Sequence, residues 1–265
     1  MVKTISSLQN PFIKQLIQLK EKSKLRKKTG LFVIEGKREL SLAIKGNYSI
    51  ETLYYYADLF SASEASSLEV YGIDVIEITK VVYEKIAHRE TTEGIIAVAK
   101  AKDLGLKNLE FKIKTPLILV AEAPEKPGNI GALLRTADAA NVDAIIISNP
   151  LTDLYNPNSI RSSVGGVFTV PIATGTTEEI INYLKQHNIS IYAAILQESV
   201  MYDSIDFKKA TAIVVGAEST GLSKEWRDAS TAKIRIPMQG KIDSMNVSVA
   251  AGILIFEAKR QRKFN

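Results

Sequence analysis

Apolar residues in this chain fall into short unbroken runs, separated by stretches where they recur every three or four positions. Runs such as Leu117–Ala121 and Ala144–Ile147 have strand length. The spaced stretches have the period of half-buried helices. In the first hundred residues, Asn10-Pro11 opens a predicted helix carrying Phe12, Leu16 and Leu19. Leu31–Ile34 reads as a strand, and Gly36 permits a turn into a helix over Arg38–Lys45. Strands follow at Thr52–Tyr56 and Ile73–Ile78, a helix at Val81–Ala87, and a strand at Gly94–Ala99.

The stretch Lys100–Lys114 is charged, poor in apolar residues and closed by Pro116, which predicts a linker. Beyond it, strands are predicted at Leu117–Ala121, Ala144–Ser148, Phe168–Pro171, Ser190–Ile195, Thr211–Val215 and Lys233–Ile236. Helices are predicted at Asn129–Ala140, Thr177–His187, Ser223–Asp228 and from Met245 to about Arg262. Strands separated by helix-length segments imply a parallel sheet covered on both faces. The expected organisation is a small α/β domain over residues 1–100, a linker over 101–116, and an α/β parallel-sheet domain over 117–265.

A chain of 265 residues buries a sizeable core without covalent staples. It has no cysteine and only two histidines, His88 and His187, far apart. A disulfide framework is excluded, and no zinc or other metal site is expected. The segment MVKTISSLQNPF has no apolar core of signal-peptide length, and no run approaches a membrane span. A cytoplasmic protein is expected.

The formal net charge of +5 is unevenly placed. Residues 1–45 hold 11 Lys and Arg against 3 Asp and Glu. The densest run is Lys20–Lys28, and a second cluster, Lys259–Lys263, lies in the last helix. Two such clusters predict a polyanionic partner, with nucleic acid first. Of the nearby aromatic residues Phe12, Tyr54, Tyr55 and Tyr56, most are expected in a core rather than stacked on bases.

Ligands of open parallel sheets bind at the carboxyl ends of the strands, and three loops there are rich in glycine and polar residues. The first, after Ala121, contains Asn129, Gly131 and Arg135, with Asn129 a candidate helix cap. The second, Gly216-Ala217-Glu218-Ser219-Thr220-Gly221-Leu222-Ser223, frames a carboxylate between glycines. It lacks the Lys-Ser/Thr pair of a phosphate loop. The third runs from Ile236 through Ser244, Met245 and Asn246 into a helix whose first turns carry Ser248, Ala250, Ala251 and Gly252. Taken singly, each fits an ordinary strand–turn–helix joint.

In this order and spacing, the three loops resemble the motifs of the SpoU (TrmH) family of RNA ribose 2′-O-methyltransferases, of the SPOUT superfamily. The similarity covers about residues 115–262. Ser7-Leu8-Gln9-Asn10-Pro11 and Phe32-Val33-Ile34-Glu35-Gly36 resemble the substrate-binding domain often fused ahead of it. Met245 stands where the family commonly has Leu, and Ala217 where it often has Asn. The first change conserves volume, and neither touches the polar residues of the chemistry.

The resemblance implies a deep trefoil knot, an obligate homodimer and S-adenosylmethionine as methyl donor. It implies donor contacts from the backbones of Gly216, Ile236 and Met245. It also implies a reactive set of Arg135, Asn129, Glu218, Ser244 and Asn246. An arginine side chain stays charged at neutral pH. Arg135 is therefore expected to hold the phosphate and stabilise the developing alkoxide, rather than to act as a free base. Ribosomal RNA is the expected substrate. Transfer RNA is one alternative, and a non-catalytic RNA-binding role in ribosome assembly is another.

Overall fold

The computed structural model describes residues 3–88, 93–217, 219–242 and 244–264. The chain divides into two compact units. One comprises residues 1–102 with Tyr155–Arg161, and the other Asp103–Leu154 with Ser162–Asn265.

The N-terminal unit contains β1 (Lys3–Ile5), α1 (Pro11–Glu21), α2 (Ser23–Thr29), β2 (Leu31–Glu35), α3 (Lys37–Lys45), β3 (Ile50–Tyr55), α4 (Ala62–Ser67), β4 (Asp74–Ile78), α5 (Lys80–Ile86) and β5 (Ile95–Lys100). Its sheet runs β1-β4-β3-β5-β2, with β5 antiparallel to both its neighbours. Asn10 caps α1 by accepting the Phe12 N–H, and Pro11 occupies the first turn, where a missing N–H costs nothing. Ile13, Leu16 and Leu19 from α1 pack with Val33, Tyr54, Ile76 and Ile96 of the sheet in one core. Tyr54 and Tyr55 are buried, whereas Phe12 is exposed beneath the Lys3 ammonium.

The basic run is not uniform. Lys22, Lys24, Lys27 and Lys28 are exposed. Arg26 is buried and donates from Nη1 to the carbonyls of Leu19 (2.6 Å) and Lys20 (3.1 Å). It closes the end of α1, where carbonyls lack intrahelical partners.

The C-terminal unit contains β6 (Leu117–Glu122), α6 (Pro127–Ala139), β7 (Ala144–Ser148), β8 (Ile172–Gly175), α8 (Thr177–Gln186), β9 (Ser190–Ala194), β10 (Val200–Met201), β11 (Thr211–Val215), α9 (Lys224–Ala229), β12 (Ala232–Arg235) and α10 (Val247–Gln261); α7 (Pro157–Ser162) falls almost wholly in the N-terminal unit. The seven strands pair in parallel in the order β10-β12-β9-β11-β6-β7-β8. Every residue of β6, β7 and β11 is buried. That explains their unbroken apolar runs.

The structure departs from the sequence pattern in three places. The strand expected at Phe168–Pro171 is a 3-10 turn, Gly166–Phe168, followed by β8. Gly165, at φ 89°, lets the chain turn too tightly for extension there. The stretch read as a linker belongs to the C-terminal unit from Asp103 onward. Gly105 bridges to Thr174, and Leu109 lies in the core beside Ile180 and Leu184. Finally, the basic cluster at the end of α10 serves the fold. Buried Lys259 donates to the Asn141 carbonyl, and Arg260 pairs with Glu257. Arg262 donates to the carbonyls of Phe207, Thr115 and Lys209, and burial lowers its pKa. This cluster gives far less support to a nucleic-acid surface than its composition implied.

Candidate active site

Chain order reverses at the centre of the C-terminal sheet. From β6 it steps to β7 and β8 on one side, while β11, β9, β12 and β10 fill the other. Such a switch opens a crevice at the carboxyl ends of the strands. The pairing Val215↔Ala121 sets the ends of β11 and β6 side by side. The first and second loops therefore leave the sheet as neighbours.

The third loop returns to the first through two side chains. Asn246 Nδ2 donates to Asn129 Oδ1 at 3.3 Å. Asn246 also caps α10, its Oδ1 accepting from the Ser248 N–H (2.9 Å) and Oγ–H (2.6 Å). Asn129 is not a cap. Pro127 starts α6 two residues earlier, with Lys126 at the capping position, so Asn129 lies inside the first turn. Its side chain engages the third loop through Asn246.

Arg135 lies in the second half of α6, exposed and without an ion pair to any described residue. Ser244 is exposed, and Met245 and Ile236 are half-buried along the third loop. Glu218 lies outside the described residues. Around it the second loop is tightly wound. Gly221, at φ 66°, donates its N–H to the Ala217 carbonyl (2.9 Å), and those two residues form an antiparallel bridge. A Cβ on Gly216 would lie 2.5 Å from the Leu222 nitrogen. Only a bare backbone fits there.

One further residue organises the crevice. Glu122 ends β6 and is 6% exposed. Its Oε2 accepts the Ser223 N–H (2.8 Å), and its Oε1 accepts the Thr177 hydroxyl (3.1 Å). Thr177 in turn meets Ser148 Oγ (2.8 Å) and Asn149 Nδ2 (2.9 Å). The carboxylate thus ties the end of the second loop to β6, β7 and α8. It is not among the residues that the family resemblance singles out. Its one signal was a charge closing an otherwise apolar buried strand, a position that demands hydrogen-bond partners.

Gly131 fixes the other flank. A Cβ there would lie 2.7 Å from the Ser163 nitrogen, so α6 needs glycine to lie against Ser162–Ser163. On its far side α10 packs on α6, and an added Cβ at Gly252 would meet Thr136 Cγ2 at 3.7 Å. A Cβ at Gly252 would thus make an ordinary contact, and this packing does not by itself require glycine.

Residues 116–256 match the SpoU rRNA Methylase family. The chain belongs to that family. Residues 10–97 match the MRM3-like substrate binding domain. Among curated relatives, the 23S rRNA (guanosine(2553)-2'-O)-methyltransferase RlmP of Bacillus subtilis is 27% identical over 97% of this chain and 100% of its own length. The 23S rRNA (guanosine-2'-O-)-methyltransferase RlmB of Vibrio vulnificus is 33% identical over 74% of this chain and 82% of its own. The AdoMet-bound rRNA methyltransferase of Sinorhizobium meliloti superposes with a TM-score of 0.90, at 31% identity, over 98% of both chains. The SpoU methyltransferase AviRb of Streptomyces viridochromogenes, in complex with AdoMet, superposes at 0.87, with 26% identity, over 96% of this chain and 99% of its own.

Proposed function

We propose that the chain methylates a ribose 2′-hydroxyl in ribosomal RNA, with the N-terminal unit holding RNA and the three loops of the C-terminal unit forming the reactive crevice. The observation that carries this reading is the Asn246–Asn129 hydrogen bond. It joins the first and third family motifs at the carboxyl edge of the sheet. S-adenosylmethionine supplies an already activated methyl group on its sulfonium. The wound second loop suits it, because Gly216 leaves main-chain atoms bare. Gly216, Ile236 and Met245 would hold the donor through their backbones.

Arg135 holds the phosphate beside the target ribose and stabilises the negative charge developing on the 2′-oxygen, whose proton passes to solvent water. Its exposure, with no ion pair to any described residue, suits that role. Asn129 and Asn246 keep the loops in register, Ser244 adds a polar contact to the ribose, and Glu218 orients the first loop electrostatically. Positioning the hydroxyl is the main contribution, and such ordering lowers barriers by roughly 7–11 kcal/mol in favourable cases.

The same reading carries the trefoil knot, a cytoplasmic location and a homodimer. Helix α10 supports the dimer. Beyond the face packed on α6, it exposes Val249 (53%) and Phe256 (43%), with Ile253 half-buried between them. An apolar stripe at helical spacing on an outer face calls for a partner.

The test is chemical. The protein is incubated with ribosomal RNA and labelled donor, and the product is hydrolysed with alkali. A 2′-O-methyl group removes the internal nucleophile, so the label should emerge in an alkali-resistant dinucleotide. Label on a free base, with a uniform alkaline ladder, would refute the reading.

A further inference from the structure

The N-terminal unit contains a cavity of about 510 Å³, within the range of sites that enclose a small ligand. Lys20, Glu35, Arg38, Glu39, Glu93 and Arg161 contribute to its wall. Arg161 reaches it from the Tyr155–Arg161 segment, which belongs to this unit.

Glu39, in the cavity wall, is only 8% exposed. Its Oε1 accepts from Arg38 Nε (3.2 Å) and Nη2 (2.7 Å). Its Oε2 receives no hydrogen bond from any described residue. Glu39 lines the cavity, so this oxygen can accept from a donor on a ligand. Gly36, at φ 108°, keeps that space open. A Cβ there would lie 2.7 Å from Glu39 Oε2 and 3.5 Å from Glu93 Oε2. Two carboxylates thus approach one bare point of backbone. Glu93 is partly engaged, since its Oε2 accepts the Lys37 N–H. Arg38 and Arg161 are exposed, Arg38 paired with Glu39 and Arg161 donating to Asn158 Oδ1 at 2.9 Å.

Two carboxylate oxygens converging on Gly36 and two arginines in the same cavity wall select a ligand that carries both adjacent N–H donors and an anion. A free phosphate engages only the arginines and brings the carboxylates no N–H donor. A nucleotide satisfies both. Among the bases, guanine alone turns two adjacent N–H donors outward, from N1 and N2. Adenine and cytosine set an acceptor nitrogen beside their amino group, and uracil flanks one N–H with two carbonyls. The edge must be unpaired to reach a pocket, as in RNA loops and bulges.

We propose that this cavity receives one unpaired guanine nucleotide of the RNA, its N1/N2 edge on Glu39 and Glu93 and its phosphate on Arg38 and Arg161. The inference rests on the reading of the chain as an RNA-modifying enzyme, and it places a base-reading site away from the reactive loops.

The test titrates the full-length protein with GMP, AMP, CMP, UMP and inorganic phosphate by calorimetry, with S-adenosylmethionine present throughout. GMP should bind at least tenfold more tightly than the other nucleotides and than phosphate. Glu39→Gln should erase the preference. Arg161→Ala, on the surface, should weaken all four nucleotides by a similar factor and keep their ranking. Equal affinities in the wild-type protein would overturn the proposal, as would a guanine preference that survives Glu39→Gln. Phosphate binding as tightly as GMP would also overturn it. Titration of S-adenosylmethionine into the same wild-type protein separates the two readings. Intact donor binding without a guanine preference sinks the pocket alone, whereas absent donor binding sinks the methyltransferase reading.

Discussion

Asn129 and Asn246 stand 117 positions apart in the chain and share a 3.3 Å side-chain hydrogen bond. Asn246 does two things at once. Its oxygen caps α10 and its nitrogen reaches the first loop. The roles separate by substitution. Asn246→Ala should lose both, costing about 1 kcal/mol of stability through the cap together with methyl transfer. Asn246→Asp keeps the capping acceptor and loses the donated bond. Its melting temperature should stay close to wild type while turnover falls. Wild-type turnover in the Asp variant would remove the cross-loop bond from the mechanism.

Arg135 is exposed and unpaired among the described residues, so its removal should barely change stability, within about 0.5 kcal/mol. Turnover of Arg135→Ala should vanish while calorimetric donor affinity is kept. Arg135→Lys should recover little, because an ammonium lacks the planar two-donor fork.

Glu122 predicts the opposite split. Glu122→Ala leaves the Ser223 N–H and the Thr177 hydroxyl short of an acceptor, at about 1–3 kcal/mol for each buried group left unmade. Glu122→Gln keeps one acceptor oxygen and should recover part of that stability. Donor affinity should fall in both variants, because the second loop loses its anchor on β6. Unchanged donor affinity in an otherwise folded Glu122→Ala protein would sever this carboxylate from the loop.

Truncation tests the boundary between the units. Residues from Asp103 onward pack on the C-terminal sheet, with Leu109 in its core. A fragment of residues 103–265 should therefore melt higher than one of 111–265. Burying a leucine contributes about 1.5–3 kcal/mol. Both fragments lose the partners of Tyr155, whose ring stacks on Phe32 at 4.3 Å. Equal melting temperatures would return residues 103–110 to the status of a passive linker.

Alkaline pH reports on the N-terminal core. Burial, with Asp74 nearby, pushes the Tyr54 hydroxyl up to about 12. The native state then holds this proton more tightly than the unfolded chain, whose tyrosine ionises near pH 10. Stability from this group is complete below pH 10 and declines as pH rises towards about 12. Denaturant midpoints measured across that window should fall less steeply in Tyr54→Phe than in wild type.

Features written within three or four neighbouring residues were legible without the fold. Asn10-Pro11 marked the start of α1, the unbroken apolar runs marked β6, β7 and β11, and the polar loops after those strands carried the family motifs. Local hydrogen bonding and side-chain periodicity decide such elements. Other local signals went unread, such as Asn156-Pro157, where Asn156 caps α7 as Asn10 caps α1.

What the pattern left open depends on partners far along the chain. Asn129 resembled a helix cap until Pro127 was seen to start α6, and only the sheet order brought Asn246 to it. Lys259 and Arg262 read as a polyanion site, but α10 carries them to backbone carbonyls that need donors. Glu122 was one charge after an apolar run until the parallel pairing of β6 with β11 set Ser223 above it. A buried charge takes its role from whatever packing places within hydrogen-bond reach, and that geometry exists only once the strands have found their order.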